Sequence, residues 1–435
     1  MNKSDSPVYN VGDMRQSKRE PLMSTIDYSV KMPGFEKSRL SSLKCMTIDI
    51  SERGIGIETD YPLAPGHTLW LNSSAELAGT VRWCMPAERK YRAGIEISPA
   101  IIDFPVELAR QQATRLFNQR TEDYIIKLNE LEERASAPHD TETLMNDITR
   151  INDAMLERCL EFEKNFPPDA VQLKEARTAF RLKTHPVMAN GNFINHARTW
   201  PKGHPGDYMI LEHAYRNTPM SEGIGYYLDK YCLSATLCTA VRERKALLRE
   251  FLQAELGSRS RPSILDVACG SCREIFEISP DIEQSGAKIT CIDFDSEALD
   301  FAANRISYAG ISDQLEFRKY NAFKMVNHER NIKEFGMQDV IYSVGFFDYI
   351  EDETLVRLLG SLYKLLNPGG TLITSFKDCR RYATSFYHWM VDWSAFYQRT
   401  EENCWRLMER VGIPSEKISF SRDSSGVIMF FIATR

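Results

Sequence analysis

The segment Ile264 to Gly270, which reads I-L-D-V-A-C-G, constrains the fold of this chain more than any other part of its sequence. Its first five residues are typical of a short buried strand, and Gly270 allows a tight turn because it has no Cβ. A helix is predicted to begin over Cys272 to Ile278, with its N-terminus facing the ligand side of the turn. A second apolar run, Thr290 to Asp293, ends in a carboxylate that can accept both hydroxyls of a ribose. The spacing predicts a doubly wound α/β domain with a cofactor site at its strand ends.

The glycines of this segment limit which cofactor it can hold. A pyrophosphate is approached along a full G-x-G-x-x-G pattern, and this chain has one glycine where that pattern has three, so a dinucleotide is disfavoured. D-V-A-C-G-S-C, followed by I-D-F-D-S-E-A-L at 292–299 and N-P-G-G-T-L at 367–372, resembles the class I S-adenosylmethionine-dependent methyltransferases. The resemblance covers roughly the last 175 residues. It implies a C-terminal Rossmann-like domain that binds S-adenosylmethionine.

The resemblance also implies which residues touch each part of that cofactor. In this sequence the methionine part would be contacted by the glycine loop, the ribose by the acid after the second strand and the adenine by the residues after the third: Asp266, Ala268 and Gly270, then Asp293, then Asn321 with Ala322. The family often has Asp at the position of Asn321. Asp295 is a second candidate for the ribose, and Asp293 is preferred because it ends the strand and Ser296 is placed to cap the next helix. The alternative is an ordinary α/β domain without a ligand.

Length and composition bound the remaining possibilities. At 435 residues the chain exceeds a usual single core, so two or three domains are expected. A net charge of −6 gives no general attraction for polynucleotides. The sequence has no run of about 18 apolar residues, and its polar start at Met1 to Val11 lacks the core of a signal peptide, so a cytoplasmic location is expected.

The ten cysteines are expected to be reduced thiols that pack as small apolar groups. Cys269 and Cys272 form a C-x-x-C, and Cys291 is predicted to lie nearby. Because neither a second pair nor a close histidine completes four ligands, we expect no metal site.

A second set of motifs lies near the N-terminus. Arg15 and Arg19 form R-x-x-x-R, and D-I-S-E-R-G-I-G follows at 49–56. Short alternating runs separated by turn residues predict a small antiparallel barrel, with strands at 47–50, 54–58, 67–71, 76–84 and 93–97. The two motifs in this order resemble the PilZ domain, a receptor for cyclic di-GMP, as do the later G-T-V-R-W and Y-R-A-G-I-E-I segments.

The PilZ resemblance assigns cyclic di-GMP binding to five residues: Arg15, Arg19, Asp49, Ser51 and Gly54. The planar guanidinium of arginine suits the Hoogsteen edge of guanine or a phosphate, and it stacks on purines. Asp49 and Ser51 would hydrogen-bond guanine or phosphate, and Gly54 would allow a turn and close approach of the ligand. The alternative is that the two arginines belong to a solvated basic tail.

The middle of the chain is predicted to be helical. From about 105 to 134 and from 142 to 164, apolar residues recur at helical spacing, and the second helix has one apolar stripe: Leu144, Ile148, Ile151, Met155, Cys159 and Phe162. The stripe is expected to pack within the chain or to form a homodimer. The predicted domains are therefore a PilZ-type barrel at 1–104, a helical linker or hairpin at 105–180 and a methyltransferase domain at 181–435, with its core at 260–435 and a lid before it.

The segment Trp200 to Asn217 is dense in aromatic residues, histidine and glycine, which suits a lid or an acceptor pocket. With A-V-R-E-R-K at 240–245 and D-W-S-A-F-Y-Q-R-T at 392–400, it resembles a group of bacterial methyltransferases that make methyl esters of 3-hydroxy fatty acids. That group usually has G-Y-A-G-D-Y where this chain has G-H-P-G-D-Y at 203–208.

The predicted chemistry is in-line transfer of a methyl group, for which the enzyme mainly aligns the reactants and excludes water. A carboxylate acceptor needs no general base. For a hydroxyl or amine acceptor, the candidate bases are Asp207, Tyr208 and His213, each of which could equally be a packed lid residue. Three aromatic residues after a predicted strand are candidates to line the acceptor pocket or to cover the sheet: Phe346, Phe347 and Tyr349.

Together the two resemblances imply a methyltransferase governed by cyclic di-GMP. The alternatives are a signalling adaptor whose α/β domain does not turn over, and a methyltransferase that acts on a protein carboxylate.

Overall fold

The computed structural model describes residues 20–31, 39–51, 53–71, 77–97, 104–393 and 396–435. They form two compact units. The first contains residues up to Gln119 together with Lys164–Phe166, and the second contains Arg120–Glu163 and Pro167–Arg435. Residues of the predicted segment 105–180 fall in both units.

The first unit contains a closed antiparallel barrel of six strands in the order β1-β2-β3-β6-β5-β4. The strands are β1 Glu20–Lys31, β2 Arg39–Ser51, β3 Gly54–Thr59, β4 Thr68–Leu71, β5 Leu77–Ala87 and β6 Lys90–Ile97. Apolar side chains fill the barrel interior, and Ile55, Ile57 and Leu69 are fully buried. The buried Tyr28 hydroxyl shares a hydrogen bond of 2.6 Å with Thr59 Oγ1. The predicted barrel is confirmed, with one strand, β1, that the sequence pattern did not predict.

The helical middle consists of α1 Phe104–Ala135 and α2 Thr141–Glu163. The buried stripe of α2 differs from the predicted one at one position, because Asn152 is buried in place of Ile151. The Tyr124 hydroxyl donates to Asn152 Oδ1 at 2.6 Å, which satisfies the amide oxygen in the interior. The stripe packs within the chain: Phe162 makes an edge contact with Trp389, whose ring centroid is 6.0 Å away. This finding favours intrachain packing over the dimer interface.

Five helices precede the sheet of the second unit: α3 Val171–Met188, α4 Asn192–Thr199, α5 Tyr208–Arg216, α6 Gly223–Leu233 and α7 Thr236–Ser258. Most of their residues lie in the segment predicted to be a lid, and the lid role stays a prediction. Their buried residues are mostly apolar, and the buried Asp229 carboxylate accepts the N–H groups of Asn192 and Phe193 at the start of α4. No helix of the described residues is long and apolar enough to cross a bilayer.

The sheet has seven strands in the order β12-β13-β11-β10-β7-β8-β9. They are β7 Ser263–Val267, β8 Lys288–Asp293, β9 Leu315–Lys319, β10 Gln338–Val344, β11 Leu366–Lys377, β12 Ile418–Arg422 and β13 Ile428–Thr434. The five strands from β11 to β9 are parallel, and β13 and β12 pair antiparallel at one side. The helices between and after them are α8 Arg273–Glu277, α9 Ser279–Ser285, α10 Ser296–Ser307, α11 His328–Phe335, α12 Asp352–Lys364, α13 Thr384–Trp389 and α14 Glu401–Val411.

The predicted doubly wound domain is confirmed, with an antiparallel extension that the sequence pattern did not predict. Chain order reverses between β7 and β10, because β8 and β9 lie on one side of β7 while β10 and β11 lie on the other. In open α/β sheets the crevice for a ligand opens at such a switch point, beyond the carboxyl ends of the strands.

Candidate functional site

The turn after β7 has an unusual backbone that shapes one wall of the site. Gly270 has φ of 53°, and the two non-glycine residues Ala268 and Cys272 have φ of 59° and 47°. A left-handed conformation costs a residue with a Cβ about 1–2 kcal/mol, so this turn stores strain of the kind that clusters at ligand sites. The turn is fastened to the next strand, since Cys269 N–H donates to the Ile292 carbonyl at 3.0 Å.

Asp293, at the end of β8, accepts a hydrogen bond from the same turn. Its Oδ2 accepts the Gly270 N–H at 2.9 Å, and its Oδ1 accepts the Asp295 N–H at 2.9 Å. Burial raises the Asp293 pKa, and the backbone hydrogen bonds oppose that shift only in part. The helix cap was predicted wrongly: Asp295, rather than Ser296, caps α10 by accepting the Glu297 N–H at 2.9 Å. Aspartate caps well because its oxygen reaches the free N–H groups of the first turn.

Asn321 follows β9, the third strand of the series. Its Oδ1 accepts the Phe323 N–H at 3.0 Å and so caps the short helix at 322–326. The preceding Tyr320 N–H donates to the Asp293 carbonyl at 2.8 Å, which holds the ends of β8 and β9 together. The amide nitrogen of Asn321 is a donor of the kind an adenine ring nitrogen accepts.

One cavity of about 500 Å³ brings most of the predicted cofactor residues together. Its walls include Ala268, Gly270, Asp293, Asn321 and Ala322. The turn after β7 therefore shares one space with the ends of β8 and β9.

Asp266 is the one predicted cofactor residue that does not line the cavity. It is 2% exposed and lies against Cys272, whose Sγ is 4.0 Å from Asp266 Oδ2. Burial raises the pKa of Asp266 well above its ordinary value, and the Cys272 thiol adds to the effect. The structure places Asp266 under the turn, where it can support the cofactor loop.

The cavity continues past the switch point to the lid residues, which were the candidates for catalysis. Asp207 and Tyr208 line it, and His213 does not. Asp207 Oδ1 caps α5 by accepting the N–H groups of Met209 and Ile210, and its Oδ2 is 2.7 Å from His196 Nε2. Burial alone would raise the Asp207 pKa, but these hydrogen bonds lower it overall. Its carboxylate is therefore engaged on both oxygens.

The other two candidates have perturbed pKa values from burial. Burial raises the pKa of the Tyr208 hydroxyl. It lowers the pKa of His213, whose ring centroid is 5.9 Å from that of His196. Each therefore favours its neutral form in the folded protein.

Aromatic side chains line another part of the cavity wall. Phe346 and Tyr349 line the cavity as predicted, but Phe347 is fully buried in the core beneath the sheet ends. The Trp393 indole N–H donates to the Tyr349 hydroxyl at 2.8 Å. Gly206 allows this pair to approach the lid turn, since a Cβ there would lie 2.5 Å from Tyr349 Oη and the residue has φ of 73°.

Two buried cations in this wall were not predicted from the sequence. Lys377 ends β11, is 5% exposed and forms an ion pair with the buried Asp348. Burial lowers the Lys377 pKa, although Asp348 opposes that shift. Arg244 of α7 is 3% exposed and also lines the cavity. Arg244 lies in the charge-rich stretch A-V-R-E-R-K of α7, which is equally typical of a solvated helix face, and Lys377 is the one charged residue of β11.

The C-x-x-C thiols lie close to the cofactor loop. The ligand atoms of Asp266, Cys269 and Cys272 are within 4.8 Å of one another, and all three side chains are buried. A structural zinc ion takes four protein ligands, so this group is one short of such a site. The expectation that the protein holds no metal here stays a prediction.

The predicted cyclic di-GMP residues fall at the hairpin between β2 and β3. Ser51 pairs with Gly54, and Asp49 pairs with Gly56. Ser51 Oγ donates to the Gly54 carbonyl at 3.3 Å, and Gly54 is the first residue of β3 after the turn. Arg15 and Arg19 lie outside the described residues.

Two families match the sequence. The family described as a methyltransferase domain matches residues 265–372. The family described as a PilZ domain matches residues 13–111. A search of curated proteins found no match.

Solved structures with a similar fold include a "possible exported protein" from Bordetella parapertussis, with a TM-score of 0.45 and 19% identity over 68% of this chain and 97% of that chain. Magnesium protoporphyrin IX methyltransferase from Synechocystis PCC 6803, solved with bound SAM, has a TM-score of 0.33 and 13% identity over 46% of this chain and 83% of its own. An O-methyltransferase family protein from Burkholderia thailandensis has a TM-score of 0.36 and 14% identity, over 46% and 59%.

The PilZ match agrees with the six-stranded barrel, and the methyltransferase match agrees with the parallel part of the seven-stranded sheet. Residues 13–111 are thus similar to the PilZ family, and residues 265–372 are similar to the methyltransferase family.

Proposed function

We propose that this protein transfers a methyl group from S-adenosylmethionine to a small acceptor. The observation that carries the proposal is the single cavity in which the turn after β7 meets Asp293 and Asn321. The residues fit the cofactor. Gly270 leaves space for its methionine part, the Asp293 oxygens retain lone pairs for ribose hydroxyls, and the Asn321 amide can donate to adenine.

The bound cofactor would supply an electrophilic methyl group on a positively charged sulfur. The chain would align the acceptor with it and exclude water. Tyr208, Phe346, Tyr349 and Trp393 give the acceptor end a largely aromatic wall, which suits an acceptor with an apolar body.

A carboxylate acceptor, such as a fatty acid, is the acceptor class that we propose. It needs no general base, and Asp207, the acidic residue among the three candidate bases, already has both oxygens engaged. If the acceptor is a hydroxyl or an amine, Tyr208, Asp207 and His213 remain the candidates for removing its proton.

We further propose that cyclic di-GMP binds the barrel and alters methyl transfer. The PilZ domain supports this role, with Arg15 and Arg19 acting together with Asp49, Ser51 and Gly54. Coupling requires the nucleotide to bind two conformations of the enzyme with different affinity.

A methyl-transfer assay tests these proposals together. Purified protein would be incubated with S-adenosylmethionine carrying a radioactive methyl group and with octanoate, 3-hydroxyoctanoate or octanol, with and without cyclic di-GMP. We expect label in the methyl esters and a rate that changes with the nucleotide. Label in octanol alone would overturn the carboxylate proposal, and equal rates with and without nucleotide would overturn regulation. Absence of turnover with all acceptors, combined with nucleotide-dependent capture of a protein, would favour the adaptor alternative.

A further inference from the structure

The guanidinium of Arg244 is a buried charge that faces the cavity without a close counter-ion. The side chain is 3% exposed, and its Nε has no hydrogen-bond partner among the described residues. Its Nη2 makes one long hydrogen bond, of 3.5 Å, to the Tyr215 hydroxyl. Within the described ranges, no carboxylate lies at ion-pair distance from it. A charge buried in this way is costly unless an anion joins it, and the cavity is the open side from which an anion can come.

A glycine holds the guanidinium at the switch point of the sheet. Gly345 follows β10 directly and has φ of 96°. A Cβ on Gly345 would lie 2.5 Å from Arg244 Nη1 and 3.2 Å from Arg244 Cζ, so the guanidinium packs directly against the backbone of Gly345. Because β10 neighbours β7 while β9 lies two strands beyond β7, Arg244 is at the far end of the cavity from Asn321.

The charges around Arg244 leave its positive charge unbalanced. Lys377, the other cation of this wall, is paired with Asp348, whereas Arg244 has no such partner among the described residues. Glu274 is the acidic neighbour that interacts with Arg244 over a longer distance. Burial raises the Glu274 pKa to about 7, so this carboxyl is only partly charged at neutral pH.

The charge balance of the reaction decides which carboxylate Arg244 can hold. When a carboxylate oxygen takes the methyl group, a C–O bond forms, the C–S bond of the sulfonium breaks, and the negative and positive charges are both lost. An ion pair between Arg244 and the reacting carboxylate would therefore stabilise the ground state more than the transition state, which slows the reaction. A carboxylate that keeps its charge suffers no such penalty.

We propose that Arg244 binds a carboxylate that stays charged throughout methyl transfer, using the planar fork of its guanidinium. The inference rests on the proposed function. Two sources have this chemistry: the amino-acid end of the cofactor, or a second carboxylate on the acceptor. If the acceptor is a monocarboxylate such as a fatty acid, only the first source remains.

Calorimetry on the full chain tests the first source. S-adenosylhomocysteine and 5′-methylthioadenosine share the adenosine and the thioether, but only the former has the amino-acid end. We expect Arg244→Gln to lower the affinity for S-adenosylhomocysteine roughly 10- to 100-fold, as the loss of a charge-assisted hydrogen-bond pair would. The affinity for methylthioadenosine should stay within about twofold of the wild-type value. Arg244→Lys, which keeps the charge and loses the fork, is expected to fall between the wild type and Arg244→Gln.

Arg249→Gln is the matched control, because Arg249 lies on the same helix, is 39% exposed and pairs with Glu277. It removes the same charge from α7 and is expected to leave both affinities unchanged. Melting temperatures would show that each variant is folded.

Octanedioate and octanoate, titrated with and without S-adenosylhomocysteine, test the second source, because only octanedioate has a second carboxylate that keeps its charge. If Arg244 serves the acceptor, Arg244→Gln removes the preference for octanedioate and leaves the binding of S-adenosylhomocysteine unaffected. If Arg244→Gln changes neither the preference between the nucleosides nor that between octanedioate and octanoate, the proposal is overturned. A wild-type chain that binds neither nucleoside would refute the proposed function, and the octanedioate titration would then still decide the role of Arg244.

Discussion

Replacing Asp293 by Asn should weaken the site in a way that the hydrogen bonds of this residue define. The carboxylate accepts one backbone N–H on each oxygen, both at 2.9 Å. An asparagine has one acceptor oxygen, so its NH₂ group must face either the Gly270 or the Asp295 N–H whichever way it turns. One charge-assisted hydrogen bond is lost and one donor is left unsatisfied, which corresponds to about 1.5–3 kcal/mol. We expect the free energy of unfolding of the ligand-free protein to fall by this order.

The same change should weaken the binding of ligands with and without an amino-acid end to the same extent. S-adenosylhomocysteine and 5′-methylthioadenosine share the ribose, so calorimetry should show both affinities falling together, by roughly 10- to 100-fold. Asp300→Asn makes the same chemical change on the exposed face of α10 and is the control. Unchanged affinity for methylthioadenosine in Asp293→Asn would refute the assignment of Asp293 to the ribose.

Three further predictions concern other parts of the chain. Burial lowers the His388 pKa from 6.5 to about 4. Below pH 6.5 this imidazole therefore binds a proton in the unfolded chain but not in the folded chain. Stability should therefore fall by up to about 3 kcal/mol between pH 6.5 and pH 4, and urea unfolding of His388→Gln should lack this component. Gly345→Ala, whose new Cβ would collide with the Arg244 guanidinium, should reproduce the ligand preferences of Arg244→Gln in calorimetry; wild-type preferences would contradict the contact. Asp49→Ala should lower the affinity for cyclic di-GMP at least about tenfold, while Asp60→Ala, a change at an exposed position of the same barrel, should leave that affinity unchanged.

The fold and the cofactor end of the cavity could be predicted because local sequence determines them. A short apolar run, a glycine and an acid one strand later fix the turn after β7 and the end of β8, and these elements formed as expected. Strand β1 also carries a local pattern, since Ile26, Tyr28 and Val30 alternate and are buried. The contacts of each predicted residue with a ligand stay predictions.

The features that were missed depend on partners distant in sequence. Asn152 is buried because the Tyr124 hydroxyl, from another helix, meets its amide. Arg244 stands between a glutamate and a lysine, as a solvated helix position often does. Its guanidinium is buried against the backbone of Gly345, which is distant in sequence, so the local pattern does not indicate the burial. Phe346 and Phe347 are neighbours of the same type, and the direction of the chain at the sheet edge places one in the cavity wall and the other in the core.

The most direct test is calorimetric titration of the full chain with S-adenosylhomocysteine and, separately, with cyclic di-GMP, using Asp293→Asn and Arg19→Ala as paired variants. The account predicts that the wild type binds both ligands, that Asp293→Asn loses affinity only for S-adenosylhomocysteine, and that Arg19→Ala loses affinity only for cyclic di-GMP. A wild-type chain that binds cyclic di-GMP but not S-adenosylhomocysteine would contradict the methyl-transfer proposal.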